Sequence, residues 1–364
     1  MKIVQLIYSL CSGGAERFVV SLSNQLSALG HEVYLCMLRP DDEPTNVFNK
    51  KFLNPNVCFK SLQLSKGFSV SKVLTVERYI KSISPDIVHC HLNVVPYVYR
   101  LSLTNTKIKF FHTLHNLAPQ TYSGRVQYFI NKFFYAHKYI RPIAISSECK
   151  MSYIDTYHLD NVECVINGCE KVTQSPNYPD VSAEIKAIRG NSDCPIFVHV
   201  ARFHAQKNQD LLINAFNRLY DHGYEYRLLI IGAGFDSPAA KELKEIANSN
   251  IYFIGEKSNV SDYLLNSNYF VLSSIYEGLP ISLLEAMSCG LICVSTPAGG
   301  IKDVINNSEI GVLSDDFTLE SFYEALKFAL ENPGRIDSTA VFTHYMQGYS
   351  MDVCADNYQK LFIS

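Results

Sequence analysis

The chain has 364 residues, of which 47% are hydrophobic and 18% are charged. This length exceeds what one hydrophobic core usually organises and favours two domains, while the composition excludes a disordered or low-complexity chain. The net charge of −3 is unevenly divided: residues 1–170 contain 18 Lys and Arg against 12 Asp and Glu, and the remainder contains 14 against 23. A basic half and an acidic half suggest a different partner for each.

The eleven cysteines are odd in number and lack CxxC pairs, which is typical of reduced, mostly buried thiols in a cytosolic protein. The apolar run from Ile3 to Cys11 imitates a signal peptide, but Gln5 interrupts it, so a buried first strand is predicted. No run reaches the roughly 18 apolar residues that span a bilayer. We therefore expect a cytoplasmic protein, soluble or peripheral at the inner face of the membrane, with no nucleic-acid partner.

Short apolar, β-branched runs alternate with helical patterns, which predicts an α/β fold with parallel sheets covered by helices. The first series of predicted strands is Lys2–Tyr8, Glu32–Leu38, Cys58–Leu64, Asp86–His91, Ile108–Leu114, Ile140–Ser146 and Glu163–Ile166. The second series is Ile196–Ala201, Tyr226–Ile231, Asn250–Gly255, Tyr269–Ser273 and Leu291–Ser295. The first helix is predicted at Ala15–Leu29 and the last at Met351–Ile363.

The two series predict two doubly wound, Rossmann-like domains. We place the first in residues 1–172, a breaker-rich linker in 173–180, the second domain in 181–348 and a final helix in 349–364, whose apolar spacing permits it to pack back on the first domain. Asn167-Gly168 is predicted to be a structural turn before the linker. Ligands of such sheets bind beyond the carboxyl ends of the strands, so the loops there are the candidate sites.

The loop after the first strand contains Gly13, Gly14 and Glu16 and opens a helix. Bare backbone amides at a helix N-terminus can face an anionic ligand, although a tight turn needed only for packing would look the same. A dehydrogenase fingerprint would need GxGxxG here, and it is absent.

Histidines follow the next strands, at His89 and His91 and again at His112 and His115. The HxH and HxxH spacings suggest a metal, but neither carboxylate nor cysteine completes a convincing set, so we expect none. His115, at a strand end, could hydrogen-bond an acceptor or a sugar, or could be structural.

Residues 123–140 combine aromatic side chains with Arg125, Lys132 and Lys138 at helical spacing. The pattern favours a core-facing aromatic stripe with a solvated basic edge. The alternative is a helix that lies on an anionic membrane surface, where a lipid-linked acceptor would reside.

In the second half, Arg202 and Lys207 follow a strand end, and two cations five residues apart can straddle a diphosphate. Both could also be ordinary surface residues. Gly232 and Gly234 follow the next strand and permit close backbone approach, which alone is a weak signal.

The richest segment carries Glu277 in a loop and Glu285 in the helix that follows, with Gly278, Leu279 and Pro280 between them. Gly278 permits close backbone approach, and proline suits a first helical turn. Carboxylates accept hydrogen bonds from hydroxyls, and both a sugar and the ribose of a nucleotide carry several hydroxyls. The competing interpretation is that Glu285 only decorates a solvated helix face.

The two glutamates eight apart in EGLPISLLE, followed by AMSCG and by the turn Thr296–Gly300, resemble the retaining glycosyltransferases of the GT-B fold, the glycosyl transferases group 1. The resemblance implies two domains facing across a cleft and transfer of a sugar, of the hexosyl type, from a nucleoside-diphosphate-sugar to a glycan or lipid-linked saccharide. No metal or other cofactor is implied. The usual setting of such enzymes is polysaccharide, lipopolysaccharide or capsule synthesis.

Roles also follow from the resemblance. Glu277 would contact the donor sugar and Glu285 the ribose, while Arg202 and Lys207 would stabilise the diphosphate. The glycine loops at Gly13-Gly14, Gly232 to Gly234 and Gly278 to Pro280 would line the donor site, and Glu16 and His115 would lie on the acceptor side. The family often has glycine after the lysine, where this chain has Asn208.

Three other functions remain open at this point. A nucleotide-sugar epimerase or a phosphorylase could use the same scaffold, although the lysine context of a phosphorylase cofactor is missing. A catalytically silent partner of another transferase is the third, and the intact set of Arg202, Lys207, Glu277 and Glu285 argues against it.

Overall fold

The computed structural model describes the backbone of residues 1–364 and the side chains of residues 1–238 and 240–364. The chain divides into two compact units. Unit 1 contains Met1–Cys169 and Tyr349–Ser364, and unit 2 contains Glu170–Gly348. Each unit is built on its own parallel sheet.

The sheet of unit 1 has seven strands in the order β3-β2-β1-β4-β5-β6-β7. Apolar residues fill both faces, as parallel strands covered by helices require; in β1, for example, Ile3, Val4, Leu6 and Ile7 are fully buried. The strands are β1 Lys2–Ile7, β2 Glu32–Met37, β3 Cys58–Ser61, β4 Ile87–His91, β5 Lys109–Leu114, β6 Arg141–Ala144 and β7 Glu163–Cys164.

The sheet of unit 2 has six strands in the order β10-β9-β8-β11-β12-β13. Its first strand is central, and the chain builds outward on one side before it returns to the other, which is the doubly wound order of nucleotide-binding sheets. The strands are β8 Ile196–Val200, β9 Arg227–Ile231, β10 Ile251–Gly255, β11 Tyr269–Leu272, β12 Ile292–Ser295 and β13 Gly311–Leu313.

Helices connect the strands in both units. In chain order they are α1 Gly14–Ala28, α2 Val70–Ile83, α3 Tyr99–Thr104, α4 Gly124–Ala136, α5 Ser147–Tyr157, α6 Tyr178–Arg189, α7 Gln209–Asp221, α8 Pro238–Ile246, α9 Val260–Leu265, α10 Ile281–Ser288, α11 Ile301–Val304, α12 Leu319–Glu331, α13 Ser338–Gly348 and α14 Met351–Ile363. Short 3₁₀ segments lie at Pro44–Phe52, Leu92–Tyr97, Ala118–Gln120 and Ala205–Lys207. Across the described residues, none of the helices has the length and apolarity that crossing a membrane requires.

All twelve predicted strands are present, with their ends moved by at most three residues. The strand that the sequence did not reveal is β13. It has only three residues, too few to display an alternating or apolar pattern, and its pairing with β12 defines it.

The C-terminal helix α14 belongs to unit 1. The Tyr358 hydroxyl lies 3.0 Å from the Thr113 hydroxyl of β5. Backbone carbonyls of Phe362 and Ile363 accept hydrogen bonds from Lys109 at 3.1 Å. The helix thus covers the first sheet although 179 residues of unit 2 separate it in sequence from the rest of unit 1.

The segment predicted as a linker, 173–180, is in part helical. Helix α6 begins at Tyr178, and Pro179 occupies its first turn, where a missing N–H costs no hydrogen bond. Just before it, the backbone N–H and hydroxyl of Ser175 donate to the buried carboxylate of Asp262, at 2.8 and 2.5 Å. The proline and asparagine that look like breakers here introduce a helix, and Asp262 fixes the approach to it.

Helix α4 also differs from the prediction of a core-facing aromatic stripe. Phe134 and Tyr135 are buried, as that prediction requires. Phe129 and Phe133, however, are exposed. An aromatic run that is apolar on more than one face cannot bury every ring against a single sheet.

Gly168 lies where the chain leaves β7 and meets the start of α14. An added Cβ would lie 2.6 Å from both the Cβ of Cys354 and the backbone oxygen of Ser350. We expect Gly168→Ala to lower the free energy of unfolding of unit 1 by about 1–3 kcal/mol, because α14 must shift. Urea denaturation measures this change.

The matched control is Gly348→Ala, since nothing lies within 4 Å of a Cβ added there. We expect that control to change the free energy of unfolding by less than about 0.5 kcal/mol. Equal unfolding free energies for the two variants would contradict the packing argument.

Candidate active site

The candidate site in unit 2 is formed by the loops that leave the carboxyl ends of four adjacent strands. Because β9, β8, β11 and β12 are neighbours and parallel, the loops after them emerge at one edge of the sheet. The chain crosses in opposite directions after β8 and after β11, which opens a crevice between these two strands.

The loop after β8 carries Arg202 and Lys207 and is held by the neighbouring chain. Phe203 donates its backbone N–H to the carbonyl of Ala233 at 2.8 Å. The amide of buried Gln209 donates to the carbonyl of Arg202 at 3.0 Å. The guanidinium of Arg202 is exposed and, in the part of the chain that the structure describes, forms no ion pair.

Asn208 occupies the position where the resemblance leads us to expect glycine. Its backbone is left-handed, with φ 51° and ψ 49°. Glycine adopts this conformation freely, and asparagine is one of the few other residues that accepts it readily. The replacement therefore keeps the turn that carries Lys207 into helix α7.

Lys207 and Glu277 form the central contact of the site. The Lys207 ammonium lies 2.6 Å from Oε1 of Glu277, and the two side chains are only 17% and 7% exposed. The Ser274 hydroxyl donates to the same oxygen at 2.6 Å. Two charges so shielded from water must be paired, and this pair joins the loop after β8 to the loop after β11.

Gln206 strengthens the same junction. Its backbone carbonyl accepts the N–H of Ile275 at 2.9 Å, and its side-chain amide donates to the carbonyl of Tyr276 at 2.9 Å. The same amide lies 3.5 Å from Oε2 of Glu277. Oε2 therefore keeps most of its capacity to accept hydrogen bonds.

Helix α10 begins at Ile281 with Pro280 at its N-cap, one residue later than the predicted start at proline. The preceding turn is anchored because Gly278 accepts the backbone N–H of Gly300 at 3.0 Å. Leu279 is buried, and Glu285 is half-buried in the second turn of the helix. The turn at Thr296–Gly300 thus supports the loop that carries Glu277.

The glycines after β9 are required by close packing. A Cβ at Gly232 would lie 2.0 Å from the carbonyl oxygen of Ala201. Gly234 has φ +90°, a left-handed value that other residues rarely adopt, and a Cβ there would lie 3.3 Å from Phe203. Both glycines bring the loop after β9 against the loop that carries Arg202.

In unit 1, Gly13 is the N-cap of α1 and Gly14 its first residue. The Glu16 carboxylate is turned back onto this loop, where Oε1 accepts the thiol of Cys11 at 3.1 Å. A Cβ at Gly13 would lie 2.3 Å from Oε2 of Glu16, so glycine makes room for that carboxylate. Burial, followed by the Glu16 charge, raises the pKa of Cys11.

The four predicted histidines of unit 1 are all buried. Nε2 of His91 lies 2.6 Å from Oε1 of Gln5, and its Nδ1 lies 3.0 Å from Nε2 of His115. Assigning the His91 proton to Nε2 makes His115 the donor in the second contact. Gln5, the polar residue that interrupts the first apolar run, thus orients His91.

His112 bridges Tyr135 and the carbonyl of Leu92, at 2.7 and 2.9 Å. Burial lowers the pKa of His112 to about 4 and that of His115 to about 3, and it also lowers the pKa of His89 and His91. These rings are neutral near pH 7. His115 can therefore orient a ligand by hydrogen bonding, but it is a poor general base.

No group of three or more His, Cys, Asp and Glu side chains among the described residues is arranged to hold a metal ion. The structure brings Lys207 and Glu277 together and places Arg202, Gly232, Gly234, Gly278 and Glu285 around the same sheet edge. Gly13, Gly14, Glu16 and His115 belong to the other unit.

Two family models match the chain in succession. Residues 12–170 match Glycosyltransferase Family 4, and residues 180–345 match Glycosyl transferases group 1. The solved structure of Anabaena HepE in complex with UDP and glucose superimposes with a TM-score of 0.78 at 16% identity, over 99% of each chain. The chain is a GT-B glycosyltransferase.

Curated relatives of this glycosyltransferase are similar over most of its length. An uncharacterized glycosyltransferase of Methanocaldococcus jannaschii is 24% identical over 319 residues, 79% of this chain and 75% of the relative. The Escherichia coli UDP-Gal:α-D-GlcNAc-diphosphoundecaprenol α-1,3-galactosyltransferase is 24% identical over 294 residues, 76% and 74% of the two chains.

Sequence reasoning missed two residues of this transferase that contact Glu277, namely Ser274 and Gln206. Gln206 directly precedes Lys207, and Ser274 lies three residues before Glu277. That proximity in sequence was the available signal. The contact of Gln206 with Glu277 depends on the adjacency of β8 and β11, whereas that of Ser274 is formed within one loop.

The buried histidines predict that unit 1 is sensitive to acid. The folded pKa values of about 4 for His112 and about 3 for His115 lie below the unfolded value near 6.5. At pH values between the folded and the unfolded pKa, the unfolded state therefore binds more protons than the folded state does. Stability should be complete above about pH 6.5 and fall as the pH decreases toward 4. Urea denaturation from pH 7.5 to 4.5 measures this.

The variant His112→Asn removes one of these groups. We expect it to reduce the slope of unfolding free energy against pH by about 1.4 kcal/mol per pH unit between pH 4.5 and 6. A wild-type slope of zero over that range would show that the rings are not neutral in the folded protein.

Proposed function

We propose that this glycosyltransferase transfers a sugar from a nucleoside-diphosphate-sugar to a glycan or lipid-linked saccharide, with retention of anomeric configuration. The observation that carries the proposal is the shielded Lys207–Glu277 pair, located where the crossovers of the unit 2 sheet diverge. UDP is the favoured nucleotide, because HepE is solved with UDP and the Escherichia coli relative is named for UDP-Gal.

The residues around the pair have the chemistry that such a donor needs. Lys207 uses one N–H on Glu277 and keeps two for phosphate oxygens, while the exposed guanidinium of Arg202 adds a second cation. Oε2 of Glu277 accepts a sugar hydroxyl, and Glu285 accepts the ribose hydroxyls. Gly232, Gly234 and the turn from Gly278 to Pro280 let the backbone approach the nucleotide and sugar closely.

In the proposed reaction, the bond from the anomeric carbon to the diphosphate oxygen breaks as the acceptor hydroxyl attacks the same face. The acceptor proton passes to an oxygen of the departing diphosphate, so no side chain is needed as general base. Arg202 and Lys207 stabilise the charge that develops on the leaving group. Glu277 holds the sugar in position.

The acceptor is assigned to unit 1, through Glu16 and His115, while Gly13 and Gly14 are assigned to donor binding. A neutral His115 suits hydrogen bonding to a hydroxyl. A role in polysaccharide biosynthesis is supported by two relatives, a galactosyltransferase named for a diphosphoundecaprenol-linked sugar and a Vi polysaccharide biosynthesis protein of Salmonella typhi. Within that role we place the enzyme in the cytoplasm and in lipopolysaccharide or capsule synthesis. No metal or other cofactor takes part in the proposed reaction.

We expect Lys207→Ala to lower kcat/KM by at least about 100-fold, since it removes a cation from the leaving group. Glu277→Gln keeps the shape and a hydrogen bond to Ser274 but loses the charge, and a similar loss is expected. Steady-state kinetics measures both effects. Circular dichroism should show an intact fold, because Ser274 and Gln206 still contact position 277.

The control is Lys241→Ala, an exposed lysine on α8 of the same unit. We expect its activity to equal that of the unchanged protein. Activity like that of the unchanged protein in Lys207→Ala or Glu277→Gln would remove these residues from the mechanism.

The donor is identified by screening nucleoside-diphosphate-sugars for thermal stabilisation and for hydrolysis without acceptor. We expect UDP and one UDP-sugar to stabilise the protein, and Lys207→Ala to abolish the shift. Conversion of the sugar into an epimer without transfer would indicate an epimerase. The absence of binding by every nucleotide would favour a catalytically silent partner.

A further inference from the structure

A buried histidine lies on the strand that precedes the loop with Arg202 and Lys207. His199, in β8, is fully buried, and its Nδ1 lies 2.9 Å from the carbonyl oxygen of Val271 in β11. A carbonyl oxygen only accepts hydrogen bonds, so Nδ1 carries the proton, and Nε2 of the neutral ring is left as an acceptor. The position of one backbone carbonyl therefore fixes the tautomer of His199.

Gln209, the first residue of α7, uses that acceptor. Its side-chain nitrogen lies 3.4 Å from Nε2 of His199 and donates to the carbonyl of Arg202 at 3.0 Å. Its Oε1 faces the backbone N–H of His204, 3.5 Å away. Turning the amide over would place its oxygen against two acceptors, Nε2 of His199 and the Arg202 carbonyl. Only one orientation of the Gln209 amide therefore satisfies its neighbours.

The His199 ring must be neutral for these hydrogen bonds to exist. An imidazolium would direct a second N–H at the amide nitrogen of Gln209, which is itself a donor. Burial lowers the pKa of His199 to about 4, although the bond to Val271 acts in the opposite direction, and the charge of Lys207 lowers this pKa further. His199 is therefore neutral near pH 7, and Gln209 keeps one N–H on each of its two partners.

The loop is fixed at its other end as well. Ser273, which directly follows β11, is fully buried, and its hydroxyl donates to the carbonyl of Lys207 at 2.8 Å. Replacing both members of a buried polar pair by apolar groups of the same shape can be nearly neutral for stability. What the pair of His199 and Gln209 supplies beyond burial is therefore a defined position for the backbone of Arg202.

We infer that His199 and Gln209 are positioning residues for the donor diphosphate: they hold the Arg202 carbonyl and so set where the Arg202 guanidinium stands relative to the Lys207 ammonium. Both side chains are buried, so they act on the ligand only through Arg202. A loop that is held before the ligand arrives binds it without first losing conformational entropy. The inference rests on the proposed binding of a nucleoside diphosphate.

The first experiment measures the Kd of UDP by isothermal titration calorimetry with the full chain. Gln209→Met keeps the shape of the side chain and removes both N–H donors, and we expect it to raise this Kd about tenfold. In an Arg202→Ala background, the same substitution should change the Kd by less than about twofold, because Gln209 acts through Arg202. The matched control is Tyr226→Phe, which removes a different buried hydrogen bond of unit 2, to the carbonyl of Phe216, and should leave the Kd unchanged.

Two substitutions at position 199 test the histidine. His199→Gln keeps one donor for Val271 and one acceptor for Gln209, whereas His199→Leu keeps neither. We expect the Kd of UDP to stay within about threefold of the unchanged value for His199→Gln and to rise about tenfold for His199→Leu. Thermal unfolding verifies that both variants are folded.

The tautomer is measured without any ligand, by NMR of the full chain labelled at its histidine nitrogens. The His199 ring is identified by the signals that His199→Gln removes. We expect it to be neutral, with its proton on Nδ1, from about pH 8 to about pH 6. A proton on Nε2 would overturn the inference, because Gln209 would then have no acceptor on that ring.

The binding measurements can overturn the inference in two ways that leave the proposed function intact. One is a Kd of UDP that Gln209→Met does not change. The other is an equal effect of Gln209→Met with and without the Arg202 side chain, which a general loosening of the sheet edge would produce. If the unchanged protein binds no nucleoside diphosphate, the proposed function is wrong, and the inference with it.

Discussion

The ion pair between Lys207 and Glu277 is the contact on which the candidate site depends. It is largely shielded from water, so each charge needs the other, and the cost of separating them keeps the loops after β8 and β11 together. Ser274 and Gln206 complete the hydrogen bonding around the carboxylate. The exposed Arg202 lies in the same loop as Lys207, at the edge of the sheet where doubly wound folds bind their ligands.

The two units stabilise their buried polar groups in different ways. Unit 2 pairs opposite charges at the edge of its sheet, whereas unit 1 buries neutral histidines that form hydrogen bonds with Gln5, Thr113, Tyr135 and a backbone carbonyl. Neutral rings cost less to bury than charged ones, and desolvation depresses their pKa accordingly. The outer surface of unit 1, at α4, carries exposed apolar and basic side chains.

The pattern of residues along the chain determined most of the fold. Parallel strands that are buried on both faces appear in the sequence as continuous apolar runs. Twelve of the thirteen strands could therefore be located from the sequence alone, whereas the three-residue β13 could not. Arg202, Lys207 and Glu277 could be proposed because they follow strand ends, and Glu285 because it lies eight residues after Glu277 in the helix of the same motif. The last three residues of the predicted linker, 178–180, are helical, because proline and asparagine mark a helix start as well as a break.

The sequence by itself thus determined the two α/β units, the family resemblance and the residue types at the sheet edges. Only the tertiary structure decided which side chains meet. It paired Lys207 with Glu277, because β8 and β11 are neighbours although 70 residues separate the two side chains. It also decided that Phe129 and Phe133 of α4 are exposed. The sequence could not show this, because periodicity identifies an apolar helix face but not whether another element covers it.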